Sequence, residues 1–408
     1  MEKSLLKQVI IDQQDLFNKK TDFIQRECDL KYYFKGNEII VITGIRRCGK
    51  STLLKIISEK TNKQNIYINF DDVRFVDFNI NNFQDIEDII TEIYDDREIM
   101  FFLDEIQNIK YWEKWVNNLY SKGIKVFVTG SNSNLLSSEI STYLTGRNKV
   151  INLNPFSFRE YLILKKVEFE NLEILSSKKK SFILKYFNIY FNLGGFPLIL
   201  ENNDIELSRQ YFSDILNKDI LHRYNIKDGK ELKDLILFLF SNVGGIYSYS
   251  SLKQVSGIKS LSTIKNYIDY IANVFLLYQV PRFDYSIKKQ KVSTSKIYVG
   301  DNSFLKTVAF NFSENLGNRL ENLVYLNLKR KNYDIYYHLE KTECDFVIKE
   351  GLKITQCIQV TLSLSNPNTR KREILGLTNA MGKYKLDSGL ILTQDEEGEE
   401  IINGKKYL

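Results

Sequence analysis

Residues Gly44-Ile45-Arg46-Arg47-Cys48-Gly49-Lys50-Ser51 fit a demanding pattern: glycine, four free positions, then glycine, lysine and a hydroxyl residue. The run before it, 39–43, is almost wholly apolar, and the run after it, 52–57, reads as the start of a helix. A strand, a glycine-bearing turn and a helix in that order can wrap successive backbone N–H groups around an anion. Glycine permits the tight turn, and the helix N-terminus adds a favourable dipole. The pattern therefore predicts a phosphate cradle made by Gly44, Arg46, Arg47, Cys48, Gly49, Lys50, Ser51 and Thr52. Lys50 is expected to bridge the β- and γ-phosphates of a nucleoside triphosphate, and the Ser51 hydroxyl to ligate Mg2+.

A loop of this kind needs an acidic partner, and Ile99-Met100-Phe101-Phe102-Leu103-Asp104-Glu105 supplies one. Five apolar residues bury a strand and two carboxylates emerge at its end. Asp104 is expected to hold Mg2+ through its water shell, and Glu105 to orient and polarise the attacking water, since phosphoryl transfer depends on positioning and charge stabilisation. A later strand, Val126-Phe127-Val128-Thr129, runs into Gly130-Ser131-Asn132, where Ser131 or Asn132 is placed to sense the γ-phosphate, the other reading being a simple turn after a strand. Arg147 precedes the next apolar run and is a candidate for reaching a neighbouring subunit's γ-phosphate, as against an ordinary surface arginine.

Composition narrows the remaining classes. The chain has 408 residues, 43% hydrophobic and 26% charged, with a net charge of +6. That is an ordinary globular balance, long enough for two to four domains. With only two histidines, His222 and His338, a histidine-rich metal site or a Ser-His-Asp triad is close to excluded, and the four cysteines show no paired metal spacing. No apolar run approaches the roughly 18 residues that span a bilayer, and the first residues lack a signal-peptide core, so a cytoplasmic address and no membrane partner are expected.

Short apolar strands at 39–43, 66–69, 99–104, 125–129 and 150–153 alternate with amphipathic helices, which predicts a parallel α/β sheet. Residues 155–230 read as helical with a break at Gly194-Gly195-Phe196-Pro197. Over 231–300 a helix at 232–240, a second near Ser251 and a third over 262–277 precede two strand-like runs. That order matches a winged helix, with Lys288-Lys289-Gln290-Lys291 where a wing hairpin would lie. The last hundred residues mix helix and strand again. The expected divisions are 1–154, 155–230, 231–300 and 301–408.

The loop at 44–51, the Asp104-Glu105 pair, Thr129-Gly130-Ser131-Asn132 and Gly146-Arg147 together resemble the AAA+ superfamily of P-loop ATPases. More narrowly, the chain resembles a prokaryotic family that joins this core to a C-terminal domain of unknown function. Its later signposts are Asn154-Pro155-Phe156-Ser157-Phe158-Arg159-Glu160, Gly194-Gly195-Phe196-Pro197 and Asp219-Ile220-Leu221-His222-Arg223. The resemblance implies an AAA+-type parallel-sheet core, a helical lid, a winged-helix region and a restriction-endonuclease-like α/β domain. It implies ATP as nucleotide, Mg2+ as cofactor, ATP hydrolysis and a DNA-related or mobile-element role.

The nuclease-like fold uses a helix Glu, a strand Asp and an E-x-K on the next strand. Glu321 and Asp345 match the first two, but the third reads Gln359-Val360-Thr361. A neutral Gln359 is a poor metal ligand and Thr361 lacks the lysine charge, so cleavage is expected to be absent, because metal-assisted hydrolysis needs that concentrated charge. For DNA, the third helix carries Lys259, Lys265 and Asn266 near its N-terminal end, where recognition helices meet base edges. Lys288, Lys289, Lys291 and Lys296 suit phosphate contacts in the wing, and Arg370-Lys371-Arg372 extends the basic track. The leading expectation is an ATPase that remodels or senses duplex or branched DNA. The alternative is a nucleotide-controlled signalling or scaffold protein whose C-terminal domain grips a protein, and homo-oligomers follow if Arg147 acts in trans.

Overall fold

The computed structural model describes residues 1–94, 98–133, 144, 146–169, 176–309, 315–402 and 404–408. The chain divides into two compact units, Met1–Leu172 and Glu173–Leu408.

In the first unit, helices α1 (Lys3–Phe17) and α2 (Leu30–Phe34) precede a five-stranded sheet. Its strands are β1 (Ile39–Thr43), β2 (Gln64–Asn69), β3 (Ile99–Asp104), β4 (Lys125–Gly130) and β5 (Asn148–Asn152), in the order β2-β3-β4-β1-β5. All neighbours are parallel, as the alternation of strand and helix predicted. β1 is built entirely of β-branched residues, and every one of them is buried, which fits a strand covered on both faces. Helices α3 (Lys50–Ser58), α4 (Asn82–Tyr94) and α5 (Trp112–Ser121) are the crossovers. Phe102 and Phe127 sit in register on β3 and β4 with rings stacked 5.0 Å apart. Helix α6 (Phe158–Leu164) closes the unit's described part.

The edge strand β2 would expose unpaired backbone groups, and α1 covers them with side chains. Gln13 Oε1 accepts the Asn69 N–H at 2.8 Å and its Nε2 donates to the Asn69 carbonyl at 3.1 Å, while Gln14 Oε1 accepts the Tyr67 N–H at 2.9 Å. Two glutamines thus stand in for a missing neighbouring strand and blunt the edge.

Parallel strands bring their C-terminal ends to one side of the sheet. The loops that follow β1, β3 and β4 therefore emerge together, and these are the loops carrying Lys50, Asp104-Glu105 and Ser131-Asn132.

The second unit opens with helices α7 (Ser177–Leu193), α8 (Pro197–Asn202) and α9 (Leu207–Asp214), continued by a π-helical turn, Ile215–His222. The expected break at Gly194-Gly195 is a turn seated on Asp301. Its Oδ2 accepts the Gly195 N–H at 2.7 Å, and a Cβ on Gly194 would stand 1.9 Å from Asp301 Oδ1. Residues 170–175 of the expected helical stretch lie outside the described residues.

Next come α10 (Lys230–Ser241), β6 (Ile246–Tyr247), α11 (Tyr249–Ser256), α12 (Leu261–Asn273), β7 (Leu277–Pro281), α13 (Ile287–Val292) and β8 (Ser295–Val299). β6, β8 and β7 form an antiparallel three-stranded sheet in that order. Lys288-Lys289-Gln290-Lys291 does fall between two strands, but as the helical turn α13 rather than a hairpin tip, started by the Ser286 side chain capping the Lys289 N–H.

Helices α14 (Asn302–Thr307) and α15 (Leu316–Arg330) lead to a six-stranded mixed sheet in the order β13-β14-β12-β11-β10-β9. Its strands are β9 (Asp334–Leu339), β10 (Glu343–Glu350), β11 (Lys353–Val360), β12 (Ser388–Leu392), β13 (Glu400–Ile402) and β14 (Lys405–Tyr407), with helix α16 (Pro367–Tyr384) between β11 and β12. Among the described residues no helix is long and apolar enough to cross a membrane.

Candidate functional site

The loop after β1 is shaped by close contacts that only glycine allows. A Cβ on Gly44 would stand 2.1 Å from the Leu153 carbonyl oxygen, and Gly49 sits at φ 101° immediately before α3. The Lys50 ammonium is drawn back into the loop, donating to the carbonyls of Gly44 at 3.2 Å and Ile45 at 3.4 Å. It lies 3.7 Å from Glu105 Oε1. Cys48 is buried beneath the loop, Arg46 is half-buried, and Arg47, Ser51 and Thr52 are exposed at the mouth.

Asp104 is buried and accepts hydrogen bonds from three hydroxyls: those of Ser51, Thr129 and, at 3.0 Å, Tyr67. Burial pushes its carboxyl above the ordinary aspartate range and the Glu105 charge adds to that, while the three hydroxyls pull it back. Glu105 itself is in the left-handed region (φ 50°, ψ 41°), which turns its side chain off the strand direction. Its N–H donates to Thr129 Oγ1 at 3.0 Å, and Gln107 Nε2 donates to its Oε2. Lys50, Ser51, Asp104 and Glu105, predicted from two separate motifs, thus converge.

These residues fit a magnesium–triphosphate. The buried carboxylate of Asp104 reaches the helix-terminal Ser51 hydroxyl, and burial together with Glu105 disfavours its charged form, a penalty that a divalent cation would relieve. Loop amides, the α3 N-terminus and Lys50 supply the anion side.

Ser131 and Asn132 follow β4 and are buried at the same end of the sheet. Arg147 lies elsewhere. It immediately precedes β5, so it occupies the opposite end of the sheet from the loop, roughly 16 Å of strand away. There its guanidinium meets Asn117 Oδ1 at 2.5 Å and stands 5.7 Å from the Tyr120 ring centroid. It does not join the Lys50 cluster of its own chain.

Sequence reading missed the support behind the loop. Arg26 is buried, stacked 4.8 Å over Phe156. It donates to Glu160 Oε1 at 2.8 Å, to the Cys48 carbonyl at 3.0 Å and to the Asn154 carbonyl at 2.6 Å. Glu160 also completes a capping box with Ser157 at the start of α6. The segment 154–160 is therefore a brace for the phosphate-binding loop. Tyr67 was missed as well, and Thr129, quoted only as part of a strand-end motif, was not linked to Asp104 until the fold brought both residues there.

A second cluster lies in the C-terminal unit. Glu321 on α15 and Asp345 on β10 do meet, but around a residue from neither element. The Lys296 ammonium, 1% exposed, lies 2.8 Å from Asp345 Oδ1, 3.0 Å from Glu321 Oε1 and 2.5 Å from Glu343 Oε1. The expectation that Lys296 contacts phosphate is thereby corrected: β8 points it inward. Gln359 Oε1 accepts the Asp345 N–H at 3.2 Å and its Nε2 donates to Glu373 Oε2, so its amide is committed within the sheet. Thr361 is buried just past β11 and donates to the Ser363 carbonyl at 3.5 Å. Burial and then Asp345 push the Glu321 carboxyl up to about 7. Burial works against the Lys296 ammonium, yet Asp345 and Glu321 outweigh it and hold its pKa well above ordinary lysine.

Lys259, Lys265, Asn266, Lys288, Lys289 and Lys291 are exposed. The Lys265 ammonium stands 5.4 Å over the Tyr249 ring. Of the expected basic extension on α16, Arg370 pairs with Glu400 and Arg372 with Glu373, which reduces its free charge.

Residues 36–162 match the family model described as an AAA domain, and 184–315 match a domain of unknown function (DUF8612). The chain is 34% identical to the uncharacterized protein MJ1544 of Methanocaldococcus jannaschii, over 100% of this chain and 93% of that one. It is 32% identical to an uncharacterized protein of Haemophilus influenzae, over 90% of this chain and 94% of that one. Among solved structures it is similar to the RuvB Holliday junction branch migration motor of Thermotoga maritima, at 15% identity and a TM-score of 0.31, covering 69% of this chain and 90% of that one.

Proposed function

Since this chain belongs to the family of the uncharacterized Methanocaldococcus jannaschii protein MJ1544 and carries a P-loop AAA domain, we propose that it is a Mg2+-dependent ATPase that binds duplex or branched DNA and couples ATP turnover to remodelling or sensing it.

The observation that carries the ATPase half is the convergence of Lys50, Ser51, Asp104 and Glu105 at one end of a parallel sheet. When bound, Mg2+ supplies charge neutralisation across the phosphates. Lys50 holds the phosphates, Ser51 and Asp104 hold the metal and its water shell, and Glu105, aimed by its αL backbone, Thr129 and Gln107, orients water. Ser131 and Asn132 report the γ-phosphate. Arg147 stands far from its own loop, so a phosphate contact from it requires a neighbouring copy, which favours a homo-oligomer.

The DNA half rests on order and charge. We read α10 to β8, a helix, a short strand, two helices and two antiparallel strands joined through α13, as a winged helix. Its α12 exposes Lys265 and Asn266 near the N-terminal end, and α13 adds Lys288, Lys289 and Lys291. The division we adopt is an ATPase core at 1–154, a helical lid at 155–230, a winged helix at 231–300 and a cleavage-dead endonuclease-like domain at 301–408.

ATP turnover measured with single-stranded, duplex, forked and four-way DNA tests this. Salt-sensitive binding and stimulation by at least one duplex-containing DNA are expected. No stimulation and no gel shift at low salt would remove the DNA role. ATP-dependent assembly without any DNA response would favour a nucleotide-controlled scaffold instead.

A further inference from the structure

We infer that the Lys296 ammonium stands permanently where a divalent metal would sit between Glu321 and Asp345, so that this centre takes no metal ion. The inference rests on the reading of 301–408 as nuclease-like, and it names the residue that closes the site.

Three carboxylate oxygens surround one nitrogen at 2.5–3.0 Å. Those are ammonium hydrogen-bond lengths, longer than the 2.0–2.1 Å that Mg2+ demands. Among the described residues no group of three potential ligands is arranged to hold a metal. The lysine does not come from β11, which bears Gln359 and leads into Thr361. It arrives from β8 of the three-stranded sheet, replacing in space a charge lost in sequence.

Further donors hold the two buried carboxylates. Asp345 Oδ2 accepts the Val360 N–H at 2.9 Å, and Glu321 Oε1 accepts the Tyr298 hydroxyl at 2.6 Å. Gly244 packs against the same carboxylate, so closely that a Cβ there would stand 2.9 Å from Glu321 Oε2. Glu321 and Asp345 are 9% and 6% exposed, while the Glu343 side chain, at 38%, is the carboxylate of the three that meets solvent. The cluster instead ties β8 to α15 and β10: it is an internal ion lock between the proposed winged helix and the sheet beyond it.

Mn2+ binding to the full-length protein, followed by electron paramagnetic resonance without nucleotide or DNA, tests this independently of ATPase or DNA activity. Wild type and Glu321→Gln should bind the same number of Mn2+ ions. Lys296→Ala should gain one Mn2+, lost again in Lys296→Ala/Asp345→Asn. A wild-type Mn2+ site that disappears in Glu321→Gln would overturn the inference, as would a folded Lys296→Ala that gains none. Should Lys296→Ala not fold, the comparison of wild type with Glu321→Gln decides alone. Metal-dependent DNA nicking by wild type, abolished in Asp345→Ala, would overturn both the lock and the cleavage-dead reading, whereas a failed metal prediction without nicking overturns the lock only.

Discussion

The Thr129 hydroxyl accepts the Glu105 backbone N–H at 3.0 Å while donating its own proton to Asp104. One side chain therefore fixes both acidic residues, and does so from the neighbouring strand. Thr129→Val keeps the shape and deletes both bonds, leaving a half-buried N–H without its acceptor and a buried carboxylate short of a donor. The expected loss is about 1–3 kcal/mol of stability, read by urea unfolding, together with lower ATP turnover. Thr129→Ser should recover most of both. A valine variant as stable and active as wild type would remove Thr129 from the site.

The Arg26–Glu160 pair predicts a larger effect. Both side chains are buried, at 5% and 3% exposure, so removing one leaves the other charged without its partner. Arg26→Met should cost about 3–5 kcal/mol in the same unfolding measurement. It should also weaken nucleotide binding, because the Cys48 carbonyl loses its anchor. Unchanged nucleotide affinity in a destabilised variant would make Arg26 a fold residue only.

How far these features could be read in advance follows from what each depends on. The loop at 44–51 and the Asp104-Glu105 pair are local: residue type and spacing state the chemistry, and a parallel sheet carries them to one end. The five strands of the first unit were legible from their apolar centres, although β2 and β5 each begin two polar residues earlier than those centres suggest. Arg26, Tyr67, Thr129 and Lys296 act across 22 to 134 residues of sequence, and the residues around them do not name those partners. Lys296 was misread because a lysine run suggests a solvated surface, whereas the alternation of β8 turned this one inward. The 288–291 segment was placed between the right strands but given the wrong conformation, since a serine cap at Ser286 starts a helical turn.

The buried cluster gives a pH signature. Glu321 is raised from 4.5 to about 7, mainly by burial and then by Asp345. Between those values the folded chain keeps a proton that the unfolded chain has lost, so stability from this group declines as pH rises and is gone above about 7. His338 runs the other way: burial lowers its pKa, so its contribution is lost as pH falls. The difference between wild type and Glu321→Gln isolates the first effect. Unfolding free energy measured across this range should fall more steeply with pH in wild type than in the variant, and equal slopes would refute the assignment.

Arg147 is tested by mixing. If it serves a neighbour's phosphate, Arg147→Ala and Lys50→Ala should each be nearly inactive alone, and together should restore measurable ATP turnover. No recovery in mixed assemblies would leave it holding Asn117 and Tyr120.

The central claim is that Lys50 and Glu105, 3.7 Å apart in this structure, divide the work on a bound triphosphate, one binding it and one positioning water. ATP affinity and ATP turnover should be measured on wild type, Lys50→Ala and Glu105→Gln under the same conditions. Lys50→Ala is expected to lose ATP binding, and Glu105→Gln to bind ATP normally while hydrolysing it at least about 100-fold more slowly. Wild-type turnover in Glu105→Gln, or undiminished ATP binding in Lys50→Ala, would contradict the account.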